Sequence, residues 1–226
     1  MYNWDFLYLL RDENFKEILN GIYITVFISV VSSVLAFLIG TFFTYYRTSP
    51  KSFVKKFTNF FVNCIRNTPL LIVIYLFYKG LPSLGIVLPA MLCGILALSI
   101  YSGAYISDAI LSGINAVPDE HTQAAKALGL NRLQTFFEII FPQALRHSIN
   151  ILGSQFMNLV KNSSLVSFIT VADIFYVTYK GIADSFKIYE YFIMAIIVYC
   201  TLTGIVLGLT NLLKKIYKIP SSEVPA

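Results

Sequence analysis

Residues 18–46 read ILNGIYITVFISVVSSVLAFLIGTFFTYY, an unbroken uncharged run bounded by Glu17 and Arg47. A helix that crosses a bilayer needs about 20 predominantly apolar residues, so this stretch is long enough to span one with some tilt. The rest of the chain has the same character. Of its 226 residues 57% are hydrophobic and only 13% charged, with a mean hydropathy of +0.70. Soluble domains carry about 25% charged residues, so the deficit points to lipid as the solvent.

Outward from this run, further apolar stretches cover 57–78, interrupted only by Arg66; 86–111, after a turn-like Gly80–Gly85; 147–172, with Lys161 in its middle; and 191–213. The reading is an all-α membrane protein of about five transmembrane helices, with 112–146 as a separate segment between spans three and four. Residues 1–17 mix Trp4, Phe6, Leu7 and Phe15 with charges. They read as an interfacial amphipathic segment on the outer surface, anchored by Trp4. No basic region precedes the first long run, so that span is expected to act as its own targeting signal, without cleavage. The terminal Ser-Ser-Glu-Val-Pro-Ala reads as a frayed tail.

The net charge of +5 bears first on orientation. With the N-terminus outside, ten basic residues fall in inside segments and five outside, leaving Arg66 and Lys161 within spans. The reverse orientation inverts that bias, so the N-terminus is expected outside and the C-terminus in the cytoplasm. No block of five or more basic residues occurs, which argues against nucleic acid and leaves membrane lipid as the surrounding partner. Cys64, Cys93 and Cys200 are far apart within apolar runs. They read as buried thiols, with no metal site or disulfide framework.

The segment between spans three and four, 112–146, is no ordinary loop. Val117-Pro118-Asp119-Glu120 supplies a helix start, with Pro early and acids in the first turn. Gln123-Ala124-Ala125-Lys126-Ala127-Leu128 reads as helix, and Gly129 stands where a left-handed cap ends one. Asn131 can cap a second helix carrying Leu133, Phe136, Phe137 and Ile140, which Pro142 is expected to stop. The prediction is a cytoplasmic helix, a glycine elbow and a second helix.

Gln123-Ala124-Ala125, three residues, Gly129, nine residues, then Ile139-Ile140-Phe141-Pro142 resembles the EAA signature of ABC importer permeases, with Gln123 for its glutamate and Phe141 for its leucine. Four further stretches resemble the polar amino-acid branch of that family, whose substrates include His, Glu, Gln, Arg and opines. These are Gly21-Ile22-Tyr23-Ile24-Thr25, Arg66-Asn67-Thr68-Pro69-Leu70-Leu71, Gly103-Ala104-Tyr105-Ile106-Ser107-Asp108 and Leu159-Val160-Lys161-Asn162-Ser163-Ser164-Leu165. Five motifs in order, over nearly the whole chain, make the resemblance specific. It implies that Gln123, Ala124, Ala125, Gly129 and Pro142 form a coupling element for a separate ATP-binding subunit. ATP and Mg would sit on that subunit and no cofactor on this chain. A second permease copy or a sibling, an extracytoplasmic substrate-binding protein and the bacterial inner membrane complete the implied setting.

Charges inside a bilayer are costly, about 2.5–3.5 kcal/mol each on insertion scales, and are functional candidates by default. Here they are Arg66, Asp108 and Lys161; Arg66 and Asp108 can also neutralise one another. Lys161 is flanked by Asn158, Asn162, Ser163 and Ser164, a polar patch ill suited to lipid. An amino acid needs partners for its carboxylate and ammonium on leaving water. Lys161 can meet the carboxylate, with Asn162 and Ser163 for the rest; the motifs add Thr68 and Tyr105 as path candidates. Asn162, where the family often has an acid, favours glutamate, aspartate or glutamine over a cationic substrate. No catalytic constellation competes, since no span has a histidine in its interior. The alternatives are a membrane scaffold or assembly protein and an intramembrane enzyme.

Overall fold

The computed structural model describes residues 4–217, all helix and turn, with no strand among the described residues. A short 3-10 turn, Phe6–Leu10, precedes α1 (Asp12–Arg47). Then come α2 (Ser52–Arg66), α3 (Leu70–Tyr75) with a π turn and one more helical turn to Ser83, α4 (Ala90–Asn115) and α5 (Asp119–Ala127). A helical turn, Arg132–Gln134, and a π turn, Thr135–Ile140, lead into α6 (Phe141–Asn162); a 3-10 stretch, Ser163–Ile169, then leads to α7 (Ile174–Ser185) and α8 (Ile188–Ile216). Helices α1, α4 and α8 are each long and apolar enough to cross a membrane. Two bent pairs, Ser52–Arg66 with Leu70–Ser83 and Arg132–Ile169 with Ile174–Ser185, bring the count to five if each is one span.

Residues 12–17, read with the interfacial segment, are continuous with α1, and Asp12 and Glu13 stand in its first turn, where acids complement the positive helix end. Three expectations are corrected. The run 57–78 is broken between Arg66 and Leu70, because Pro69 has no N–H and restricts the residue before it. Pro142 does not stop the second elbow helix. A π turn comes just before it, with Phe141 N–H bonded to the Phe136 carbonyl, and the helix runs on through Pro142 to Asn162. Of the cysteines only Cys93 is buried; Cys64 and Cys200 are exposed on apolar helices, as lipid permits. Residues 1–3 and the tail expected to fray lie outside the described residues.

The chain gathers into two compact units: the chain up to Val34 with Thr68–Ser99 and Met157–Ile205, and Leu35–Asn67 with Ile100–Phe156 and the chain from Val206. In the first, Leu9, Ile18, Ile174, Val177 and Tyr191 form a buried core. Gly21 lets α1 approach α7 closely, since a Cβ there would lie 2.9 Å from Val177 and 3.2 Å from the Ile174 Cα. Four residues on, the buried Thr25 hydroxyl accepts the Ile174 N–H at 3.0 Å and donates to the Gly21 carbonyl. The Gly21/Thr25 motif is thus one docking device. Asp173, fully buried, caps α7 by accepting from Tyr176 N–H and from the Tyr199 hydroxyl. At the chain start, Trp4 stacks on Phe6 and lies tilted against Tyr189, with ring centroids 5.5 Å apart. Lys187 donates to Asp5 at 3.1 Å and holds its carboxyl below the usual range.

Candidate functional site

The elbow lies in the second unit and is built by backbone capping. At the end of α5, Gly129 N–H bonds to the Lys126 carbonyl and Leu130 N–H to the Ala125 carbonyl, a Schellman arrangement that needs a left-handed residue. Gly129 supplies it, at φ +78°. Asn131 and Gln134 then close a reciprocal capping box: Asn131 accepts the Gln134 N–H at 3.0 Å, and Gln134 accepts the Asn131 N–H at 2.9 Å. Ala125 packs inward, at 2% exposure, while Gln123, Ala124, Gly129 and Pro142 are exposed. Leu128, 80% exposed at the tip, is an apolar contact point that reading the run as plain helix did not single out. Arg132 donates to the Tyr45 carbonyl and lies 4.0 Å over its ring, tying the elbow to the end of α1. Beside it opens a cavity of about 400 Å3 bordered by Thr48, Pro50, Lys126, Arg132 and Phe136.

The same unit brings Arg66, Tyr105 and Asp108 together and adds a partner that the sequence had assigned to a loop. Arg47, 8% exposed, bonds to one Asp108 oxygen at 2.5 Å, and Arg66 pairs with the other. Two guanidinium groups share one carboxylate, so the trio keeps a surplus positive charge. Arg47 also donates to Asn59 at 2.7 Å and to Ser107. The Arg66 guanidinium faces the Tyr105 ring at 5.2 Å, and its buried Nε has no hydrogen-bond partner among the described residues. Because α2 ends at Arg66, that residue's carbonyl has no helical donor, and the Tyr105 hydroxyl supplies one at 3.1 Å. A charge at the tip of span one, opposite an acid in span three, was the signal for Arg47.

The remaining path candidates belong to the first unit. Thr68 lies in the break between α2 and α3 and is half-buried. Lys161 and Asn162 end α6, and Ser163, fully buried, opens the 3-10 stretch by donating to the Val160 carbonyl. Ser164 likewise turns back to the Lys161 carbonyl, so both hydroxyls stabilise the tightening chain. Lys161 is exposed and forms no ion pair with a described residue.

Apolar helices long enough to cross a membrane, a capped and exposed elbow, and ionic groups in the spans are the parts a transport component needs. The model of the "Binding-protein-dependent transport system inner membrane component" family matches residues 32–217, and the chain belongs to that family. The chain is similar to the "Probable glutamine ABC transporter permease protein GlnM" of Bacillus subtilis (strain 168), 32% identical over 91% of this chain and 96% of that one. It also resembles the "Probable amino-acid ABC transporter permease protein YckA" of the same organism, 29% identical over 95% and 96%. Among solved structures, "Crystal structure of an amino acid ABC transporter with histidines" matches with a TM-score of 0.83 at 28% identity, covering 95% of this chain and 99% of that one. The protein is therefore a multi-pass permease component of an amino-acid ABC importer, not an enzyme. It resides in the inner membrane, and an ATP-binding subunit and a substrate-binding protein are its family-level partners.

Proposed function

We propose that this subunit forms part of the translocation path for glutamine, with glutamate and aspartate as the nearest alternatives, and that its elbow receives the ATPase stroke. The observation that carries the substrate reading is the polar turn Lys161–Ser163. An exposed ammonium without an ionic partner among the described residues stands beside an amide, Asn162, and these match two of the three polar groups glutamine presents, its carboxylate and its side-chain amide. An amide at residue 162 recognises a neutral side chain without the charge a cationic substrate would need. The similarity to a probable glutamine permease agrees with this. An exposed Lys161 on a single chain also favours closure of the path by a second copy or a sibling permease, with a two-fold arrangement the simplest. ATP and Mg are held by the partner ATPase, which docks on the elbow of Gln123, Ala124, Gly129 and Pro142, with Leu128 at its tip and Ala125 packed inward beneath them.

The test is uptake by the reconstituted importer with labelled glutamine, glutamate, aspartate and arginine. Glutamine is expected to be taken up best and arginine least. Lys161→Met keeps the length of the side chain and removes its charge, and is expected to abolish uptake while the ATPase stays bound. Normal uptake by this variant would reassign Lys161 to a structural role; preferred arginine uptake would overturn the Asn162 argument.

A further inference from the structure

The second unit carries an apolar groove of about 360 Å3 that the transport reading touches only at Pro142. Leu145, Ile149, Leu152 and Phe156 of α6 form its floor, with Phe37 of α1 and Leu213 of α8 alongside. Helices α6 and α8 run antiparallel along it: Gly153 packs against Thr210, and the exposed Arg146 lies 5.9 Å from the Tyr217 ring. One end of the groove is therefore cationic. Lys214, four residues after Thr210 and three before Tyr217, flanks that end and donates to Asn211 at 3.3 Å, whereas Lys215 falls on the far face of α8; neither Arg146 nor Lys214 forms an ion pair with a described residue. The groove lies on helices the chain leaves open. Only 6% of the most apolar stretch of α8 and 28% of that of α1 are buried, against 61% for α4.

We infer that this groove is a binding site for one anionic phospholipid, with an acyl chain along the α6 floor and the phosphate at Arg146, flanked by Lys214. Length and charge both fit. From Leu145 to Phe156 the helix rises about 16 Å, at about 1.5 Å per residue. One hydrocarbon leaflet is about 15 Å deep, so a chain anchored at Arg146 would reach the end of the floor near the bilayer middle. A free phosphate would leave the apolar floor unused, and a zwitterionic lipid would leave the cations without a net anion. Each basic group where a span meets the cytoplasm attracts an anionic headgroup by about 1 kcal/mol. On the proposed topology this is the inner leaflet.

The experiment uses the full-length protein in nanodiscs of equal phosphatidylglycerol and phosphatidylcholine, released into native mass spectrometry. Phosphatidylglycerol is expected to be retained over phosphatidylcholine by at least about fivefold, the factor one basic group near the surface supplies. Arg146→Gln should lower that preference about fivefold, and Arg146→Lys should keep most of it. Ile149→Trp, which fills the groove, should lose both lipids whatever the state of Arg146, and so reads the groove if Arg146→Gln does not assemble. Equal retention of the two lipids, or an unchanged preference in Arg146→Gln, would overturn the inference. So would displacement of the lipid by inorganic phosphate, or a disulfide between two Ile149→Cys copies, which would show a second chain covering the groove.

Discussion

Asp108 has two guanidinium groups to neutralise and one charge to do it with. Removing that charge while keeping the shape, in Asp108→Asn, leaves Arg47 and Arg66 facing each other in a poorly solvated setting. Fully buried pairs lose about 3–5 kcal/mol on such a change, and partial exposure of Arg66 and Asp108 reduces this to about 2 kcal/mol. Thermal unfolding of the purified subunit should show the loss. The double variant Arg66→Met with Asp108→Asn should be milder than the two single effects added, since each removes the other's partner. Thr25→Val is a second test at this scale. It is nearly isosteric but strands the buried Ile174 N–H, so a loss of about 1–3 kcal/mol is expected in the same assay. The Gly21/Thr25 pair was legible in the sequence as a motif, though not as a docking device, because its partner Ile174 lies 149 residues away. Arg47 was missed because charge at the end of an apolar run normally marks a loop. Its burial depends on Asp108, Asn59 and Ser107, which the fold alone brings together.

At the scale of elements, the elbow could be read from spacing because its capping is local: Gly129, Asn131 and Gln134 act on backbone groups a few residues away. Nothing lies within 4 Å of a Cβ built on Gly129, so any penalty of substitution is conformational and not steric. Gly129→Val must hold a β-branched side chain at φ +78° and should cost about 1–2 kcal/mol of local order. It is expected to weaken ATPase association and ATP-coupled uptake in an inserted subunit. Gly129→Asn tolerates the left-handed region and should lie much nearer the parent. A Gly129→Val protein that binds the ATPase and transports normally would remove the elbow from the coupling path. Elements were least legible where prolines fall inside apolar runs. Pro69 does end a helix and splits the second run, whereas Pro142 follows a π turn and is absorbed. Both leave the same signal in the sequence, and what separates them is the hydrogen-bond register one turn upstream.

For the whole molecule, α1, α4 and α8 could span the membrane alone, or the two bent pairs could add two more crossings. Both arrangements put the termini on opposite sides, Lys51 inside and Lys180 outside, so those two positions fix the orientation without counting the spans. They differ on everything between. If both pairs were re-entrant, Ser83 would return to the cytoplasm and the elbow at Lys126 would face outward. Basic residues would then divide eight inside to seven outside, in place of ten to five, and the positive-inside bias would nearly vanish. An outward elbow would also be out of reach of any ATPase. Five crossings are therefore expected, and four single-cysteine variants, at Lys51, Ser83, Lys126 and Lys180, would decide it in a background with Cys64, Cys93 and Cys200 replaced. Lys180 gives up only a half-exposed pair with Glu17, worth under about 1 kcal/mol, so its substitution should be tolerated. In intact cells an impermeant maleimide should label Ser83→Cys and Lys180→Cys, and reach Lys51→Cys and Lys126→Cys only after permeabilisation. Labelling of Lys126→Cys from outside, with Ser83→Cys protected, would reduce the spans to three and remove the elbow from the ATPase side.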